Sequence, residues 1–125
     1  MAWTLFEFVD GKGRKVISEW IASQDAGHRG RIKSKLHTLA HSGAEVPPHL
    51  LTATKEKHIR EIRINTNVAF RIFVCLGPLG MNEYTMLFRG TERDSVYVPS
   101  DSLQRAEANR LELLSDIHAR RSKYD

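Results

Sequence analysis

The sequence predicts one α+β domain in the order β-α-α-β-β-β-α, with a small, mostly antiparallel sheet carrying its helices on one face. Three observations predict this. The runs His58–Ile64, Val68–Cys75 and Glu83–Arg93 are rich in β-branched and aromatic residues and are separated by the turn clusters Asn65-Thr66-Asn67 and Gly77-Pro78-Leu79-Gly80, the pattern of a three-stranded meander. Segments before and after the meander change to a helical period. A length of 125 residues, 41% of them hydrophobic, suffices for one core without staples, so residues 1–125 are read as a single domain.

The elements follow in chain order. Trp3 to Val9 is aromatic and β-favouring and ends at Asp10-Gly11-Lys12-Gly13, so it is a first strand whose best place is beside the meander. From Arg14 onward Val16, Ile17, Trp20 and Ile21 share a helical face. Asp25 can cap a second helix that stops at Gly43, with Ile32, Leu36, Leu39 and Ala40 as its apolar stripe. Its other face is basic, with Arg29, Arg31, Lys33 and Lys35 and with His28, His37 and His41 nearby. A solvated surface explains this face, and so does phosphate contact or docking to an acidic partner.

Ala44 to Lys57 reads as a loop marked by Pro47-Pro48 and anchored by Leu50-Leu51. Gly90 to Val98 is polar and short. Pro99-Ser100-Asp101 opens a last helix running to about Arg120, with Leu103, Ala106, Arg110, Leu114 and Ile117 near one face and Leu111 and Leu113 widening the stripe. Residues from about 118 to 125 form a basic tail expected to fray.

Strand alternation locates candidate chemistry. Ile59, Glu61 and Arg63 fall on one face of their strand, and Arg60, Ile62 and Ile64 on the other. In the next strand Val68, Phe70, Ile72 and Val74 share a face, and Arg71 points the opposite way, where it can pair with Glu61 as a core-edge residue. Arginine recurs at positions 60, 63, 71 and 89, and the net charge of +4 favours an anionic partner. The single cysteine, Cys75, excludes an internal disulfide and a cysteine-based zinc site. His37 and His41 are spaced i, i+4 but lack a matched third ligand, so no metal site is expected. The first residues do not form a signal peptide, and no apolar run approaches a membrane span, which places the expected protein in the cytoplasm.

From Phe6 almost to its end the chain resembles the RelE/ParE toxin superfamily, and within it the phage-derived HigB-like branch. The resemblance is carried by Val16-Ile17-Ser18-Glu19-Trp20-Ile21, the helix stop at Gly43, Arg60-Glu61-Ile62-Arg63, Phe70-Arg71-Ile72-Phe73, Leu87-Phe88-Arg89-Gly90-Thr91-Glu92-Arg93, and Pro99 through Ala106 to Arg110. It implies a bacterial or prophage-encoded toxin that cleaves mRNA on the ribosome, and a small antitoxin partner with a helix-turn-helix domain. It also implies that Arg63, Arg71 and Arg93 take part in catalysis, that Arg89 belongs to a basic loop, and that no metal or organic cofactor is needed. The chain departs from the family at Gly90, where a second lysine is usual, and at Asp94 to Val98, which looks like an insertion.

Metal-independent RNA cleavage by the 2′-OH needs a base, charge stabilisation at phosphorus and an acid for the leaving oxygen. Arg63 and Arg71 would supply a fixed positive fork. Lys55, Lys57 or His58 would act as base or as a phosphate contact, and Tyr97 would stack on a nucleobase or orient the backbone. Two alternatives stand beside this reading: a ParE-like inhibitor of a protein target such as gyrase, and a decayed prophage protein that only binds its antitoxin.

Overall fold

A computed structural model describes residues 4–40, 51–80 and 82–124. The chain forms β1 (Thr4–Phe8), α1 (Val16–Ala22), α2 (Ala26–Ala40), β2 (Thr52–Ala53), β3 (Arg60–Asn65), β4 (Ala69–Leu76), β5 (Glu83–Arg93), β6 (Val96–Val98), α3 (Ser102–Ser115), α4 (Ile117–Arg120) and β7 (Arg121–Lys123). The sheet runs β2-β3-β4-β5-β1-β7, with β6 folded back on β5. The β1–β5 pair is parallel and the others are antiparallel, so the α+β class and the mostly antiparallel sheet are as the sequence predicts. Trp3, the stretch from His41 through Gly43 and Pro47-Pro48 to Leu50, and Asp125 lie outside the described residues.

The two faces of the sheet bury different sets of side chains. Ile62, Ile64, Phe70, Ile72, Val74 and Met86 pack with Ile17 and Ile21 of α1 and Ile32, Leu36 and Leu39 of α2. Ile59, Phe73, Cys75, Leu87 and Phe88 pack with Leu103, Ala106 and Leu113 of α3. The strands alternate between these two clusters, so α3 lies opposite α1 and α2. This corrects the expectation that all helices share one face. Helical periodicity says that α3 has an apolar stripe, but not which face of the sheet the stripe covers. The stripe is also narrower than expected: Leu113 is buried, whereas Leu111 and Leu114 are exposed.

Local chemistry explains the element ends. Lys15 precedes α1 without a side-chain cap, and the buried Glu7 of β1 takes that role, accepting from the Ser18 backbone N–H at 2.8 Å and from the Ser18 hydroxyl. Asp25 accepts from the His28 N–H at 2.9 Å at the start of α2, in its expected capping role. Asp94 and Ser95 both have positive φ, 52° and 64°, and join β5 to β6 in a tight hairpin. The helix expected to reach Arg120 breaks at Asp116, whose backbone is extended (φ −160°, ψ 79°). The tail expected to fray is instead a strand: residues 121–123 pair with β1, Arg121 bonds Glu83 at 2.7 Å, and its guanidinium lies 3.7 Å from the Phe6 ring centre. An ion pair and a cation–π contact hold that segment where its sequence alone shows only charge.

Candidate functional site

Five of the site's side chains converge beyond the end of the sheet face that α3 covers. Arg63 of β3 and Arg71 of β4 are register partners. Glu61 lies two residues before Arg63, on the same face. From β5 comes Glu92, and from its register partner on β6 comes Tyr97. Glu61 is 1% exposed and joins the cluster together, accepting from Arg63 Nε at 2.8 Å and from the Tyr97 hydroxyl at 2.7 Å, with Arg71 Nε 3.9 Å away. The Tyr97 ring stands edge-on to Phe73 at 5.1 Å, which anchors β6 to the core beneath.

The two arginines differ in what they can still do. The Arg71 side chain is 7% exposed and committed: Nε donates to Glu92 at 2.8 Å, and Nη1 donates to Asn65 Oδ1 at 3.0 Å and the Phe70 carbonyl at 2.8 Å. Through these bonds it ties Asn65 of β3 and Glu92 of β5 to β4, and it is far less open than Arg63. The Arg63 side chain is 44% exposed and spends its Nε on Glu61, so its terminal nitrogens meet solvent. The Glu61 bond, against a smaller cost of burial, holds the Arg63 pKa above the ordinary guanidinium value. Burial, aided by the neighbouring Glu61 carboxylate, raises the Tyr97 pKa, so Tyr97 remains a neutral donor at pH 7 and is no base.

The remaining predicted residues are dispersed. Arg89 and Arg93 alternate to the face opposite Glu92, and Arg93 is exposed beside the β5–β6 hairpin. Lys55, Lys57 and His58 are exposed on the link into β3, at the other end of the α3 face from Arg63. That link is held in shape by Thr54, whose hydroxyl donates to the Ile59 carbonyl at 2.8 Å and accepts from the Glu56 N–H at 3.1 Å. At roughly 3.3 Å per strand residue, His58 and Arg63 are about 16 Å apart along the chain, too far to serve one phosphate. Lys57, His58 and Arg60 instead border a cavity of about 650 Å³ with Arg110, Leu76 and Pro78.

Compared with known proteins, the chain matches no family model, no curated protein and no solved structure. Glu61 is the residue whose weight sequence reasoning understated. Its signal was a carboxylate on the same strand face as Arg63, recognised only as a partner for Arg71. Gly90 also has a structural reason: a Cβ there would come within 2.8 Å of Ser102 Oγ and 3.0 Å of the Val98 carbonyl, so the close seating of α3 requires glycine. Burial pushes the Cys75 thiol up to about 11, in keeping with a small core residue. Among the described residues no cluster of His, Cys, Asp and Glu is arranged to hold a metal, and no helix is long and apolar enough to cross a membrane.

Proposed function

We propose that the chain is the toxin of a type II toxin–antitoxin pair, a cytoplasmic mRNA endonuclease that acts on the translating ribosome and is neutralised by a small helix-turn-helix antitoxin. The observation that carries the reading is Arg63, a half-exposed guanidinium held at a fixed angle by the buried Glu61. In the reaction the 2′-oxygen bonds to phosphorus as the bond to the 5′-oxygen breaks. The hydroxyl proton passes to solvent, and the leaving oxygen is protonated in turn. Arg63 stabilises the charge that builds on the phosphorane, and preorganised positive charge of this kind contributes about 100-fold or more to rate. Tyr97, Arg71 and Glu92 position Arg63 and Glu61. Lys57 and His58 contact a phosphate further along the strand, and much of the rate comes from orientation of the RNA by the ribosome.

The test is primer extension on a defined mRNA in a translating bacterial extract, comparing wild type with Arg63→Ala at matched folded concentration. Cuts that need translation and vanish in the variant are the expected result. One observation favours a second reading, inhibition of a protein target: Arg63 and Arg71 are balanced by Glu61 and Glu92, which leaves the cluster little net field for RNA. Growth arrest with intact mRNA would select that reading, and neither arrest nor cuts would reject both.

A further inference from the structure

The outer edge of β5 is only partly paired. β1 pairs with it from Glu83 to Met86 and β6 from Thr91 to Arg93, which leaves residues 87–90 between them without a strand neighbour on that side among the described residues. At this gap the β1–α1 link, α1 and α3 enclose a cavity of about 390 Å³ lined by Asp10, Arg14, Glu19, Trp20, Phe88, Arg89 and Arg105, among others. Arg89 and Arg105 both lie on the Phe88 ring, with guanidinium carbons 4.4 Å and 4.5 Å from its centre. Arg89 Nε is fully buried and makes no hydrogen bond, the one buried side-chain N or O atom among the described residues in that condition.

Among the described residues these two cations form no ion pair with an acidic side chain. Asp10 is already spent, bonded at 2.8 Å to Arg14 Nε and at 2.9 Å by the backbone N–H groups of Lys12 and Arg14. Glu19 is exposed on α1 and forms no ion pair with either arginine. Burial first, and then the neighbouring Arg105, lower the Arg89 pKa, as expected for a guanidinium with no carboxylate beside it. A buried donor left unmade is costly, and so is a like-charge pair on one ring. A bound oxyanion offsets the like charge. A carboxylate carries one charge, whereas a phosphate dianion balances both arginines through their terminal nitrogens.

We propose that the cavity between α1, α3 and the open stretch of β5 is a binding site for a phosphate group, held by Arg89 and Arg105 with Arg14 at its mouth. Arg89 leaves β5 on the face opposite Glu92, and the site does not depend on RNA cleavage. The phosphate is either free or the end of a small phosphorylated ligand.

Isothermal titration of the full chain with inorganic phosphate and, separately, with a nucleoside 5′-monophosphate tests the site and distinguishes the two sources. The expected result is saturable one-site binding that weakens by about 10-fold or more in Arg89→Gln and in Arg105→Gln, and is kept in Arg31→Gln, which removes equal charge from an exposed helix face. Tighter binding of the nucleotide assigns an ester, and equal binding assigns free phosphate. As a second readout, phosphate should raise the melting temperature of wild type but not of Arg89→Gln. No saturation by either ligand up to roughly 10 mM, or equal binding by all three variants, would overturn the proposal.

Discussion

Arg71 and Arg89 stand on adjacent strands one register step apart, since Arg71 pairs with Gly90 and Ile72 with Arg89, yet their side chains leave opposite faces of the sheet. On its side Arg71 meets Glu92 and Asn65 within hydrogen-bond range and Glu61 at 3.9 Å. Arg89, at the open edge of β5, meets the Phe88 ring that Arg105 also contacts, and a cavity. Burying a guanidinium costs several kcal/mol unless carboxylates and hydrogen bonds replace its water. Where the chain supplies them, the arginine becomes part of the frame. Where it does not, the arginine is left with capacity for something from outside.

Substitution by methionine, which keeps the length of the side chain and removes its charge, exposes that difference most directly. Arg71→Met leaves Glu92 and Glu61 short of a cation and should lower unfolding free energy by about 3–5 kcal/mol in a urea titration. If it cost less than about 1 kcal/mol, the cluster would not be the frame described here.

Gly90→Ala comes next, at about 1–3 kcal/mol, because the new methyl group must push Ser102 and α3 away from β5. Adding Ser102→Ala should recover part of that loss, and a strictly additive double variant would refute the contact. Tyr97→Phe removes a hydrogen bond to a buried carboxylate and should cost about 1.5 kcal/mol near neutral pH. The sign with pH is fixed by the direction of the shift. A phenol whose folded pKa is raised contributes fully below the ordinary tyrosine value near 10 and loses that contribution as pH climbs from there through the raised folded pKa. A spectrophotometric titration of the native protein should therefore show a delayed phenolate that is missing in Tyr97→Phe. The smallest effect is expected for Arg89→Met, whose stability without phosphate should equal or slightly exceed wild type. A loss approaching that of Arg71→Met would mean that Arg89 has an internal partner after all.

The same contrast explains how much was legible in the sequence. Alternation along β3 and β4 correctly places Ile62, Ile64, Phe70, Ile72 and Val74 in one core and turns Arg71 away from it, because period-two burial is a local property. Distances across the sheet are not local. Nothing near Arg71 signals Glu92, and nothing near Arg89 signals Arg105 on α3. The β5–β6 hairpin was hidden because its turn is Asp94-Ser95 and not the Asn-Gly or Asp-Gly that announces such turns. The paired tail was hidden because its partner, β1, lies at the opposite end of the sequence.

That pairing of β1 also shapes how the chain reaches its fold. Thr4 is matched with Glu83 and Phe6 with Lys123, so both flanks of this strand are filled by segments that leave the ribosome long after it does. Loop closure over such separations is entropically slow, and the sheet cannot close from its first strand outward. β3, β4 and β5 can assemble as a local meander, whereas β1 waits for β5 to fill one edge and for β7 to fill the other. Topology therefore predicts that β1 docks late in folding, and that the helix cap Glu7 provides to α1 arrives with it.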